Sequence, residues 1–96
     1  MAKLYVSEYI GGPDKAMPPQ EPSVAEQTPV VIGAGSLQSA AFNAKTNLVR
    51  IHADAICSIK FGENPTATAD NKRMAAGDTE YFTVGPAQKV AVITNT

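Results

Sequence analysis

The sequence predicts an all-β fold: a small antiparallel β-sandwich or barrel with an extended, proline-rich N-terminal arm. Three observations carry that expectation. From Val30 onward, short runs of β-branched and aromatic residues alternate at period two. Turn residues split these runs at spacings of roughly 8–12 residues, the rhythm of sandwiches and small barrels. Between Gly11 and Pro29, by contrast, prolines interrupt a stretch with almost no apolar pattern. The expected division is residues 1–29, an N-terminal strand and arm, and residues 30–96, the sandwich body.

Taken in order, Lys3 to Ile10 carries Leu4, Tyr5, Val6, Tyr9 and Ile10 and suits a strand. Gly11-Gly12-Pro13 ends it, and Pro18, Pro19, Pro22 and Pro29 remove amide donors and favour extended or polyproline II backbone. Two readings fit this stretch: a linker without fixed structure, or an arm lying along a neighbouring subunit. An arm of about 18 residues reaches roughly 55 Å at about 3.1 Å per residue. Its anchor, and the expected partner interface, would be Leu4, Tyr5, Val6, Tyr9 and Ile10. Tyr5 and Tyr9 are four apart, so they share a side, and tyrosine suits interfaces by joining apolar area to a polar tip.

Val30-Val31-Ile32 is stopped by Gly33-Ala34-Gly35-Ser36. Leu37 to Ala44, rich in small residues, reads as a strand close to another backbone, with a helical segment at Gln38 to Ala44 as the lesser alternative. Leu48 to Ala53 alternates Val49, Ile51 and Ala53 against Arg50 and His52. Ala55 to Phe61 places Ala55, Cys57, Ile59 and Phe61 on one face. Gly62-Glu63-Asn64-Pro65 opens a polar loop to Asn71, read either as a contact surface or as a solvated connection. Lys72 to Ala75 is a further strand, and Ala76-Gly77-Asp78 is expected to close a hairpin into Thr79 to Val84. Gly85-Pro86-Ala87-Gln88 then turns into Lys89 to Thr94.

Composition narrows the function classes. The chain has 96 residues and a net charge of −1, with eight basic residues scattered along it. That argues against nucleic acid, whose phosphates call for clustered Lys and Arg. No run of 18 apolar residues offers to span a membrane, and residues 1–10 lack the apolar stretch of a secretory signal. Lone Cys57 excludes an intrachain disulfide, and a single histidine, His52, argues against a zinc cage. One unpaired cysteine fits synthesis in a reducing cytoplasm. A body of about 60–70 residues buries only about 60% of its unfolded surface, and such a core rarely supplies more than roughly 3–5 kcal/mol. Association is the remaining candidate remedy.

Candidate chemistry is thin. Val30 to Gln38 copies the start of a dinucleotide-binding turn, but Gln38 stands where the third glycine is needed for close helix packing. It reads as a tight glycine turn. His52, Asp54 and Cys57 form the other grouping, and alternation sends Cys57 to the opposite face from the other two. An exposed His52 and a buried, inert Cys57 follow, and a Cys57–His52 dyad does not. The expectation is no enzyme, no catalytic residue, no metal and no cofactor.

The run Val49-Arg50-Ile51-His52-Ala53-Asp54-Ala55-Ile56-Cys57-Ser58-Ile59-Lys60-Phe61-Gly62 is informative in another way. Together with Asn64 to Thr68, Ala76 to Phe82 and Lys89 to Ile93, it resembles small β-sandwich virion proteins of tailed bacteriophages. The resemblance covers about Val30 to Thr96. It implies a structural part without enzymatic activity that acts as a dimer or trimer, foremost a capsid decoration (cement) protein. Such a protein is made in the host cytoplasm and sits on the capsid exterior. Its partner would be the major capsid protein, bound by the body on one subunit and by the arm on a second. Other readings are a neck or tail adaptor, a fibre-associated component, or a glycan- or receptor-binding module using the Asn64–Asn71 loop.

Overall fold

Alternating burial organises the chain, as a pleated backbone that sends successive side chains to opposite faces requires. The computed structural model describes residues 2–10 and 22–95. These form nine strands and no helix: β1 (Lys3–Tyr9), β2 (Ala25–Glu26), β3 (Val30–Val31), β4 (Leu37–Gln38), β5 (Leu48–Ala53), β6 (Cys57–Gly62), β7 (Lys72–Met74), β8 (Thr79–Thr83) and β9 (Lys89–Thr94). They build two antiparallel sheets. In the first, β2 and β3 lie end to end along one edge of β1, followed by β5 and β8. The second runs β4-β9-β6-β7. The all-β sandwich is therefore present.

The interior is aliphatic. Leu4 and Val6 of β1 pair in register with Ala53 and Ile51 of β5, and all four are buried. Facing them are Cys57 and Ile59 of β6, Met74 of β7, and Val90 and Val92 of β9. Each fully buried aliphatic side chain of this size contributes about 1.5–3 kcal/mol. At one end three aromatics close the core. Phe61 and Phe82, from opposite sheets, lie tilted at 4.9 Å between ring centres, and Phe42 sits 6.4 Å from Phe61.

The N-terminal strand departs from the expected arm. Residues 11–21, most of the proline-rich stretch, lie outside the described residues, but both flanks are built into the sandwich. β1 is an interior strand, bonded to β5 on one side and to β2 and β3 on the other. Leu4, Val6 and Tyr9 are buried within this chain and so cannot anchor a neighbour. Leu4 and Val6 belong to the hydrophobic core, and Tyr9 is buried outside that cluster. No body separates from an arm at residue 30, and the interior is larger than residues 30–96 alone would give.

Connections also differ from the expected hairpins. Residues 75–78 do not join paired strands; they carry the chain from β7 in the second sheet to β8 in the first. Gly77 takes the left-handed φ of 83° that the turn needs. Its N–H donates to the Ala53 carbonyl at 2.8 Å, and Asp78 Oδ2 accepts the Ala75 N–H at 2.9 Å. Residues 84–88 likewise pass from β8 back to β9, with Ala87 at φ 63°, a conformation costing a residue with a Cβ about 1–2 kcal/mol. Only Leu37–Gln38 of the expected strand 37–44 joins a ladder. The remainder is a crossover that sends Phe42 into the core. Gly33 and Gly35 have negative φ and no neighbour that a Cβ would meet, so the glycine motif is a plain bend with no helix behind it.

Glu8 pins that crossover. It lies on the inward face of β1, 2% exposed, and accepts three hydrogen bonds: from Gln27 Nε2 at 2.8 Å, the Asn43 N–H at 2.7 Å and Thr46 Oγ1 at 2.8 Å. A buried carboxylate is costly unless its oxygens are satisfied in this way. Among the described residues no buried side-chain polar atom lacks a partner.

Candidate functional site

Each sheet has an outer face, and the two are treated differently. Over the second sheet, the loop of residues 63–71 that links β6 to β7 folds back onto the strands. Gln38 Nε2 donates to Asn64 Oδ1 and to the Pro65 carbonyl, both at 2.8 Å. Ser36 Oγ accepts the Ala67 N–H at 2.8 Å, and Asn95 Nδ2 donates to the Ala69 carbonyl at 3.1 Å. Beneath it Ser58 and Ala91, both on the outward face, are fully buried. The loop is thus bound to its own sheet through Pro65, Ala67 and Ala69, while Glu63, Asn64, Thr66, Thr68 and Asp70 stay exposed.

The first sheet's outer face is open, and the strand register arranges it as a grid. One row reads Tyr5, His52, Thr79 from β1 to β8; the next reads Glu26, Ser7, Arg50, Tyr81 from β2 to β8. Tyr5 and Tyr81 are 40% and 37% exposed. Two strand spacings of about 4.8 Å and one two-residue step separate them, roughly 12 Å. Over β2, β1 and β5 lies a depression of about 400 Å³ lined by Tyr5, Ser7, Glu26, Arg50, His52 and Asp54.

Hydrogen bonds fix its polar groups. Glu26 accepts from Ser23 Oγ at 2.6 Å and from Ser7 Oγ at 2.5 Å. These two bonds, Ser23 first, with the charge of Arg50, outweigh desolvation and hold the Glu26 carboxyl below its ordinary range. His52 Nδ1 shares a 2.7 Å hydrogen bond with Thr79 Oγ1, its Nε2 lies 3.9 Å from Asp54 Oδ1, and its ring sits tilted against Tyr5. The face therefore combines one guanidinium, two carboxylates, one imidazole and two phenols, of which Glu26 and His52 are held by hydrogen bonds. Such an array holds a polar partner by directed hydrogen bonds and ring contact.

The grouping of His52, Asp54 and Cys57 does not converge. His52 and Asp54 share the open face, while Cys57 is buried in the opposite sheet, where desolvation raises its thiol pKa. Among the described residues no three His, Cys, Asp or Glu side chains are placed to hold a metal ion, and no helix is long and apolar enough to cross a membrane. A second, more apolar cleft of about 410 Å³ runs between β3 and β4, lined by Val31, Leu37, Gln27 and Pro29 among others.

Of the expected interface residues, the structure places Tyr5 and Ile10 at the surface and Leu4, Val6 and Tyr9 inside. It brings to Tyr5 three residues that the sequence pattern does not single out, Ser7, Glu26 and Arg50, with Tyr81 beside Arg50. Alternation marks Arg50 and Tyr81 as outward, but only the strand register shows that they are neighbours. Comparison with protein-family models, with curated proteins and with solved structures finds no match.

Proposed function

We propose that the chain is a non-enzymatic structural module of a tailed-phage virion, a decoration protein that binds the outside of the capsid and reinforces contacts between major capsid protein subunits. The observation that supports this reading is the open face of the first sheet. Tyr and Arg, the residues most enriched where proteins bind proteins, stand there on paired strands, with Tyr5 and Tyr81 exposed and Arg50 half-buried between them. Sequence resemblance supplies the virion context. An oligomer carrying several such faces binds a repeating lattice by avidity, so a modest single contact suffices.

The test is cosedimentation with empty shells assembled from the major capsid protein encoded in the same genome. Saturable binding at hundreds of copies per shell, lost in a Tyr5→Ser/Arg50→Glu double variant, is the expected result. Absence of binding overturns the reading, and about 6 to 12 copies per particle point to a neck or tail ring instead. Deleting the N-terminal segment is not an equivalent test, because it removes β1 from the core.

One observation favours a glycan-binding reading over the remaining alternatives. Tyr5 flanks a depression bearing Glu26, Asp54 and Arg50, and a ring beside planar hydrogen-bonding groups suits a sugar. Binding of the intact chain to a glycan array, abolished by Tyr5→Ser, would favour it.

A further inference from the structure

Among the described residues each sheet ends in two edges, and three of the four carry features that discourage another strand from pairing. β2 and β3 are two-residue pieces separated by Pro29, β4 is two residues long, and β7 bears Lys72 and Arg73. The fourth edge is β8: five residues, Thr-Glu-Tyr-Phe-Thr, with no proline, lysine or arginine.

The β8 register shows which of its groups are available. The Val84 N–H donates to the Asn47 carbonyl at 3.1 Å, and the Ala53 N–H donates to the Asp78 carbonyl at 3.1 Å. Hydrogen-bonded pairs alternate along an antiparallel ladder, so Phe82 and Glu80 are bonded to Val49 and Ile51 of β5. Thr79, Tyr81 and Thr83 therefore direct their amides and carbonyls away from the sheet, with no backbone partner among the described residues. Glu80 and Phe82 face inward. An inward charge ordinarily guards an edge, yet the ion pair formed among the described residues is His52–Asp54, which leaves Glu80 without a cation. Lys72 is in the complementary position: its Nζ lies 5.7 Å from the centre of the Phe82 ring, with no carboxylate among the described residues in ion-pair range.

We infer that a second copy of this chain pairs with β8, antiparallel, about a two-fold axis through Tyr81. In that register Tyr81 opposes Tyr81 of the partner subunit, and Thr79 opposes Thr83 of the partner subunit in both directions. All three available residues are used, giving six backbone hydrogen bonds. Glu80 then stands opposite Phe82 of the partner subunit, beside Lys72 of the partner subunit, so both unpaired charges find their opposites twice. This self-complementarity, in shape, hydrogen bonding and charge, selects a second copy over a foreign strand. The pairing would fuse the two first sheets and make their open faces continuous. It follows from the β8 edge and the neighbouring Lys72 and does not depend on the virion reading.

The experiment is light scattering or sedimentation of the full chain across a dilution series, with circular dichroism as a check on folding. Expected is a species of twice the 10.1 kDa chain mass that dissociates on dilution. Tyr81→Pro removes an amide that points away from the sheet, a placement edge strands tolerate, and should leave a folded monomer. Glu80→Lys or Lys72→Glu alone should weaken the dimer about tenfold or more, as loss of close interfacial charge pairs does. The Glu80→Lys/Lys72→Glu double variant should return to within about threefold of the parent. A chain that stays monomeric at the highest concentration overturns the proposal. So does a dimer unmoved by both Tyr81→Pro and the single charge reversals, or single reversals that the double variant fails to rescue.

Discussion

The outer faces of the two sheets solve the same problem in opposite ways. Behind β6 and β9 the chain covers itself: residues 63–71 fold down, and Ser58 and Ala91 are fully buried on what would otherwise be a solvent face. Behind β1, β5 and β8 nothing described in the chain lies over Tyr5, Arg50 or Tyr81. Both faces are polar enough to stand in water, so solubility does not explain the difference. A small domain gains stability from every buried surface, and a flat array of aromatic and charged groups left open is therefore where function is to be sought.

Two neighbouring carboxylates repeat that contrast, and they provide the sharpest test. Glu8 points inward and Glu26 outward. Glu8→Ala removes the charged acceptor of three hydrogen bonds, one of them from buried Thr46, and should cost about 3 kcal/mol in urea unfolding. A loss well under that would mean the crossover at residues 39–47 is held by other contacts. Next in size is the cover: Ala91→Lys forces a long cation under residues 63–71 and should cost about 2 kcal/mol. A neutral result would show that the loop lifts freely and that the faces are more alike than their burial suggests.

Glu26 gives a smaller, pH-dependent signal. Its folded-state pKa is depressed below the ordinary 4.5. The stability it contributes is complete above that value and is lost as pH falls through the folded-state pKa. The gap between the parent chain and Glu26→Gln, measured by unfolding across that acid range, should therefore close on acidification. The smallest expected effect is on the open face itself. Tyr5→Ser and Arg50→Ser should each change stability by no more than about 0.5 kcal/mol, as surface substitutions outside a packed core do. A larger loss from either would make that face structural and dissolve the contrast.

Much of the fold is legible in the sequence, and the reason is local. Alternation in Leu48–Ala53, Cys57–Gly62 and Thr79–Thr83 identifies both the strand and its inward face, because a half-buried pleat demands it. Partner choice leaves no such mark. Gly77 reverses the chain whether the next strand pairs with the last or crosses to the other sheet, so the arch at residues 75–78 looks like a hairpin. β2 is invisible for a related reason: Ala25–Glu26 joins the sheet through the backbone of β1, next to Pro22 and Pro29, with no apolar pattern of its own. Leu4, Val6 and Tyr9 are readily recognised as apolar anchors, but the sequence does not say whether they anchor in this chain or another. The open-face grid shares that limit, since Glu26, Ser7, Arg50 and Tyr81 meet only after four separate strands align.

The crossing connections bear on how the molecule forms. Because β5 leads to β6, β7 to β8 and β8 to β9 in the opposite sheet each time, neither layer can be completed before the other is well advanced. Most pairings join distant parts of the chain, and folds of that kind search longer for their nucleus, on the millisecond-to-second scale rather than in microseconds. Assembly of the polypeptide should accordingly be all-or-none, with no half-built sheet available to accumulate on the way.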